Sequence, residues 1–119
     1  MSEFYIETRS FAAPFFSDQD FFYVVAESPE KALTLCADNY SHPAGLYSAA
    51  AYSSADAMNK GEKPLATWLC NHEIAKAELT DGLGCYSYMG IAPGEFEING
   101  KLHVIANPKG GRVMEHAHD

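Results

Sequence analysis

The chain has 119 residues, a length that suits one domain with its own core and no need of disulfide or metal staples. Hydrophobic residues make up 47% of it, which excludes wholesale disorder. The formal net charge of −8 argues against nucleic-acid and membrane-surface binding, since both require basic patches.

The charge is uneven. Met1 to Asp56 holds eight acidic and two basic residues (−6), whereas Ala57 to Asp119 holds eight acidic and six basic (−2). That contrast suits either ordinary solvation or an acidic face for a basic partner. No segment reaches the ~20 apolar residues of a membrane span. The opening Met1-Ser2-Glu3 lacks the basic start and apolar stretch of a secretory signal. The expected location is therefore the cytoplasm. Cys36, Cys70 and Cys85 are odd in number and form no C-x-x-C pair, so they read as small buried hydrophobes.

Phe4 to Ser10 alternates with strand periodicity: Phe4, Ile6 and Thr8 point one way, Tyr5, Glu7 and Arg9 the other. Pro14 and the stretch Ser17-Asp18-Gln19-Asp20 interrupt regular structure. Phe21 to Ala26 is nearly all apolar and reads as a central strand. Ser28-Pro29-Glu30 opens a helix, with Ser28 as cap and Pro29 in the first turn, running to about Asn39 or Tyr40 and stopped by His42-Pro43. Gly45 to Tyr52 reads as a strand, which makes a strand–helix–strand unit. Ser54 caps a short helix over Ala55–Lys60, closed by Gly61.

The periodicity after Pro64 predicts one long helix to about Leu79, with Leu65, Trp68, Leu69, Ala75 and Leu79 in one apolar sector. Cys85 to Met89 is a predicted strand. Glu95 to Ile105 is a predicted hairpin turning at Asn99-Gly100. A three-residue turn with Gly100 in a bulge would pair Glu97 with Lys101 and Phe96 with Leu102, and that match of charge and apolarity favours it over a two-residue turn. The expected fold is α+β: a mainly antiparallel mixed sheet of five or six strands with two main helices and one short helix. The expected domain covers residues 1–108, followed by a flexible tail over residues 109–119.

Chemistry-bearing clusters are few. His72-Glu73-Ile74-Ala75-Lys76 resembles the start of an H-E-x-x-H zinc helix, but Lys76 stands where the second histidine belongs. His116 and His118 lie in a terminal segment with no scaffold to hold a metal. No phosphate-cradling loop or nucleophile elbow is present. No metal or cofactor is expected. The aromatics carry more: Phe15 and Phe16 follow Pro14 and precede Asp18 and Asp20. Apolar area beside carboxylates is the composition of a protein contact, with a partner or between identical subunits.

The segments His42-Pro43-Ala44-Gly45-Leu46-Tyr47, Lys60-Gly61-Glu62-Lys63-Pro64-Leu65-Ala66, Trp68-Leu69-Cys70-Asn71-His72-Glu73 and Gly94-Glu95-Phe96-Glu97-Ile98 resemble small uncharacterised proteins encoded by phages of actinobacteria. The resemblance implies a protein made in the bacterial host cytoplasm, where small acidic proteins bind host or phage proteins. It transfers no functional residue. The expected function is a protein-binding module, with Phe15, Phe16, Asp18 and Asp20 at the contact. A small enzyme or accessory subunit using His72 and Glu73 is the alternative, and an acidic mimic of nucleic acid is a weaker one.

Overall fold

The computed structural model describes residues 1–11, 18–80, 86–87, 92 and 94–114. Strand β1 (Ser2–Ser10) carries the expected alternation: Phe4, Ile6, Thr8 and Ser10 are buried, and the residues between them reach the surface. It pairs on one side with β2 (Gln19–Ala26) and on the other with β3 (Leu46–Tyr52). Both pairings are antiparallel, so β2 and β3 run parallel with β1 between them. Helix α1 (Pro29–Asp38) makes the crossover. The strand–helix–strand unit therefore exists, with an antiparallel strand threaded through it.

Local chemistry sets the helix starts. Ser28 Oγ accepts from the Lys31 amide at 3.1 Å, and Pro29 occupies the first turn. Ser54 Oγ accepts from the Ala57 amide at 3.1 Å and starts α2 (Ala55–Asn59), after which Gly61 turns the chain at φ 80°.

The sheet continues through β4 (Ala66–Cys70), which is where the long helix expected from Pro64 to Leu79 gives way. Ala66, Trp68 and Cys70 are buried while Thr67 and Leu69 are half-buried, a period of two. The same five residues fit a helical wheel, but pairing with strands on both sides decides the matter. The helix proper, α3, is Asn71–Thr80. Leu65 and Leu79, placed by the wheel in a shared core sector, are both exposed.

A second sheet, in the order β5-β6-β7, joins β5 (Tyr86–Ser87), β6 (Glu95–Ile98) and β7 (Lys101–Val104). Its hairpin corrects the expected register. Ile98 pairs with Lys101, Glu97 with Leu102 and Phe96 with His103. The loop is the two-residue Asn99-Gly100, at φ 51° and 80°, the primed turn whose twist matches the strands. Phe96 and Ile98 are thereby buried, and Leu102 and Val104 are left exposed on the face of Glu95 and Glu97. Turn geometry outweighs the charge match of the alternative register.

Strand β8 (Gly111–Met114) pairs with β4 and completes the main sheet, in the order β2-β1-β3-β4-β8. Residues 111–114 are thus part of the fold and not of a flexible tail; residues 115–119 lie outside the described residues. Every strand pairing is antiparallel among the described residues. The architecture is α+β. The order also corrects the place of β2, expected at the centre of the sheet and found at its edge.

The core lies between α1 and one face of the five-stranded sheet: Phe4 and Ile6, Ala32 and Leu33, and Ala49, Ala51, Ala66, Trp68 and Cys70. Trp68 reaches over β8, where an added Cβ on Gly111 would run into its indole ring and the Leu69 carbonyl oxygen. Truncating Trp68 to alanine is expected to cost roughly 3–5 kcal/mol by denaturant unfolding. A midpoint close to that of the wild type would place the indole outside the core. Gly111→Ala is expected to destabilise as well, by displacing β8.

Candidate functional site

Edge strand β2 is open on one face and only partly covered by α1 on the other. Phe21, Tyr23 and Val25 lie on the face away from α1, with Tyr23 60% and Val25 55% exposed. Tyr5 of β1 stacks on Phe21 at 5.7 Å and packs against Tyr23 at 5.0 Å. Asp20, Phe22 and Val24 lie on the face toward α1. No strand pairs with the outer side of β2 among the described residues. The Ser10 amide donates to the Asp18 carbonyl, which fixes the phase of the β1–β2 ladder. Even-numbered β2 residues turn their amides and carbonyls to β1; those of Phe21, Tyr23 and Val25 point away from the sheet.

Between β2 and α1 runs a groove of about 460 Å³. Phe22 and Val24 form one wall, Leu35 and Cys36 the other, and Asn39, Tyr40 and His42 close one end. Burial pushes the Cys36 thiol above its ordinary value, which makes it an apolar lining residue and a poor nucleophile. Burial likewise raises the Tyr40 phenol, a hydrogen bond with the Thr8 side chain opposing it in part.

The closed end is held by a polar network. His42 Nε2 lies 2.6 Å from Asp18 Oδ2, which also accepts from Ser10 Oγ at 3.0 Å. The Ala44 amide donates to His42 Nδ1 at 3.0 Å, and the Tyr40 ring lies nearly parallel to the imidazole. Both ring nitrogens are thus engaged, and His42 acts as a brace. Asp18, expected as a solvated steering charge, anchors this brace. Asp20 is exposed at the rim of the groove, where a steering charge belongs. Phe15 and Phe16 lie outside the described residues.

The alternative site divides differently. His72 is 1% exposed and packs edge-on against Phe96 at 5.0 Å and beside Phe11 at 6.1 Å. His103, its cross-strand partner, also stacks on Phe96, at 5.4 Å. The Glu73 carboxylate accepts from the Tyr47 hydroxyl and pairs with Lys76, whose ammonium also donates to Tyr47 Oη at 2.9 Å. His72 and Glu73 therefore occupy different settings, one among aromatic rings and one in a polar triad. The triad compensates the charge of a nearly buried lysine.

Cys70 precedes α3, and its sulfur accepts from the Glu73 amide; burial pushes this thiol up to about 11. Among the described residues no group of three or more His, Cys, Asp or Glu could hold a metal ion.

The sequence pointed to the loop ahead of β2 and missed the groove behind it. Tyr40 and His42 reach Thr8 and Asp18 only through the crossover, and no linear spacing marks such a meeting. No protein-family model matches this chain, and no curated protein or solved structure matches it.

Burial, reinforced by the Lys76 cation, holds the His72 imidazole below its ordinary value of 6.5, against a smaller upward pull from Glu73. Well above pH 6.5 the ring is neutral in both folded and unfolded chains, and folding is indifferent to it. Below that, the unfolded chain takes up the proton first, so stability falls until the folded ring also titrates. His72→Gln is expected to flatten the loss of stability between about pH 6.5 and pH 5, measured by urea unfolding. An unchanged slope would mean that His72 is protonated as easily in the fold as outside it.

Proposed function

We propose that this chain is a protein-binding module that takes an extended segment of a partner protein as an added strand along the outer side of β2. The observation that carries the reading is the composition of that edge. Natural sheets blunt exposed edges with lysine, proline or a bulge. Gln19 to Ala26 contains no lysine and no proline, and it pairs with β1 in unbroken register over all eight residues. It offers Phe21, Phe22, Tyr23 and Val25 to solvent. Strand addition uses such an edge twice: main-chain hydrogen bonds supply affinity, and a neighbouring groove takes alternate side chains of the guest. The β2–α1 groove lies where those side chains would fall.

The resemblance to phage-encoded proteins read in the sequence implies a host or phage protein as the partner. The acidic, aromatic contact expected from the sequence keeps its chemistry in this reading, with its centre moved from the Phe15–Phe16 loop to β2.

Tyr23→Pro tests the reading. The Tyr23 amide points away from β1, so proline there removes a donor for the guest and leaves the ladder intact. The variant is expected to unfold within about 1 kcal/mol of the wild type. Linear peptides selected from a random library on the wild-type chain are expected to slow hydrogen exchange at the Phe21, Tyr23 and Val25 amides and to lose binding to Tyr23→Pro. Selected peptides that bind the folded variant as tightly as the wild type would overturn strand addition.

A further inference from the structure

We infer that the guest strand carries a lysine or arginine two residues from an aliphatic or aromatic residue, both on the side facing α1. This rests on the strand-addition reading and specifies its ligand. Side chains two apart on a strand share a face and stand roughly 7 Å apart. On the α1 face of β2 the row reads Asp20, Phe22, Val24. A guest side chain beside Phe22 enters the groove between Phe22, Leu35 and Cys36, an apolar setting that suits leucine, isoleucine or phenylalanine.

The next guest side chain on that face, toward the start of β2, stands beside Asp20. The Asp20 carboxylate is exposed at the rim. The Asp18 carboxylate is half-buried and is engaged by His42 and Ser10. A long cationic side chain can lay its methylenes along Phe22 and bring its charge to Asp20. The field points the same way: the half of the chain that builds the groove carries −6, so a basic segment is drawn in and an acidic one repelled. The same charge disfavours a second copy of this chain as the guest.

The test uses short fluorescein-labelled peptides of alternating threonine and valine, with lysine and leucine set two positions apart, titrated by anisotropy into the full chain. Variants replace the lysine by glutamate or the leucine by serine. The lysine–leucine peptide is expected to bind, and glutamate for lysine to weaken it at least about tenfold. Serine for leucine is expected to weaken it comparably. Asp20→Asn, with its thermal midpoint unchanged, is expected to weaken the lysine peptide about two- to fivefold while improving the glutamate peptide.

Equal affinity for the lysine and glutamate peptides, both lost in Tyr23→Pro, would overturn the ligand class and leave strand addition standing. If no peptide binds and sedimentation shows a dimer that Tyr23→Pro dissolves, the guest is a second copy and the inference falls. Absence of both peptide binding and dimer would overturn the ligand class and the strand-addition reading together.

Discussion

The fold depends on how closely α1 can approach the sheet. The helix contacts β1, β2, β3, β4 and β8, and a single ten-residue helix covers that width only if little stands between it and the strands. Ala49, Ala51 and Ala66 supply the low ground, with Ala32 meeting them from the helix. Bulk comes from Phe4, Ile6, Leu33, Leu46 and Trp68, which fill the space around the alanines. Large side chains in place of Ala49 and Ala51 would lift the helix and open voids along its flanks.

Centring α1 over the alanine strands leaves β2 only partly covered. Phe22 and Val24 sit under the overhang of the helix and line a groove, where on a middle strand they would lie beneath packed side chains. The exposed edge is thus a by-product of where the small residues lie. The His42 brace has a related origin. The chain leaving α1 must turn back toward β3, and the Asp18–His42 pair ties that return to the start of β2. The groove's closed end is fixed at both sides by polar bonds, whereas its floor is apolar and adaptable.

Local signals were legible in the sequence, and neighbourhood was not. The Ser28 and Ser54 caps, the alternation of β1 and the position of the Asn99-Gly100 turn are written within a few residues and appear where they were expected, although the turn has two residues and not the three expected. Ala66–Cys70 is short enough to satisfy both periods, and only the flanking strands choose between them. Phe21 to Ala26 reads as central because apolar residues on both faces ordinarily mean cover on both faces. A strand that keeps that composition at an edge breaks the rule, which is why it marks a candidate site. Among the four residues expected at the contact, Asp20 lies on the groove and Asp18 braces it, while Phe15 and Phe16 lie outside the described residues. The histidine most suggestive in the sequence, His72, is held by rings from β6 and from the end of β1. His42, read from the sequence only as part of a helix stop, is the histidine that shapes the groove.

The start of α3 has a temporal consequence. Its first amides are not satisfied from within: Asn71 N donates to the Gly110 carbonyl, His72 N to the Pro108 carbonyl and Asn71 Nδ2 to the Asn107 carbonyl. Those acceptors are made more than thirty residues later in the chain. During synthesis α3 must emerge with its leading turn open to water, and β4 beside it with an unpaired flank. Both wait for the segment that leads into β8. One late segment thus completes both the helix start and the strand beside it.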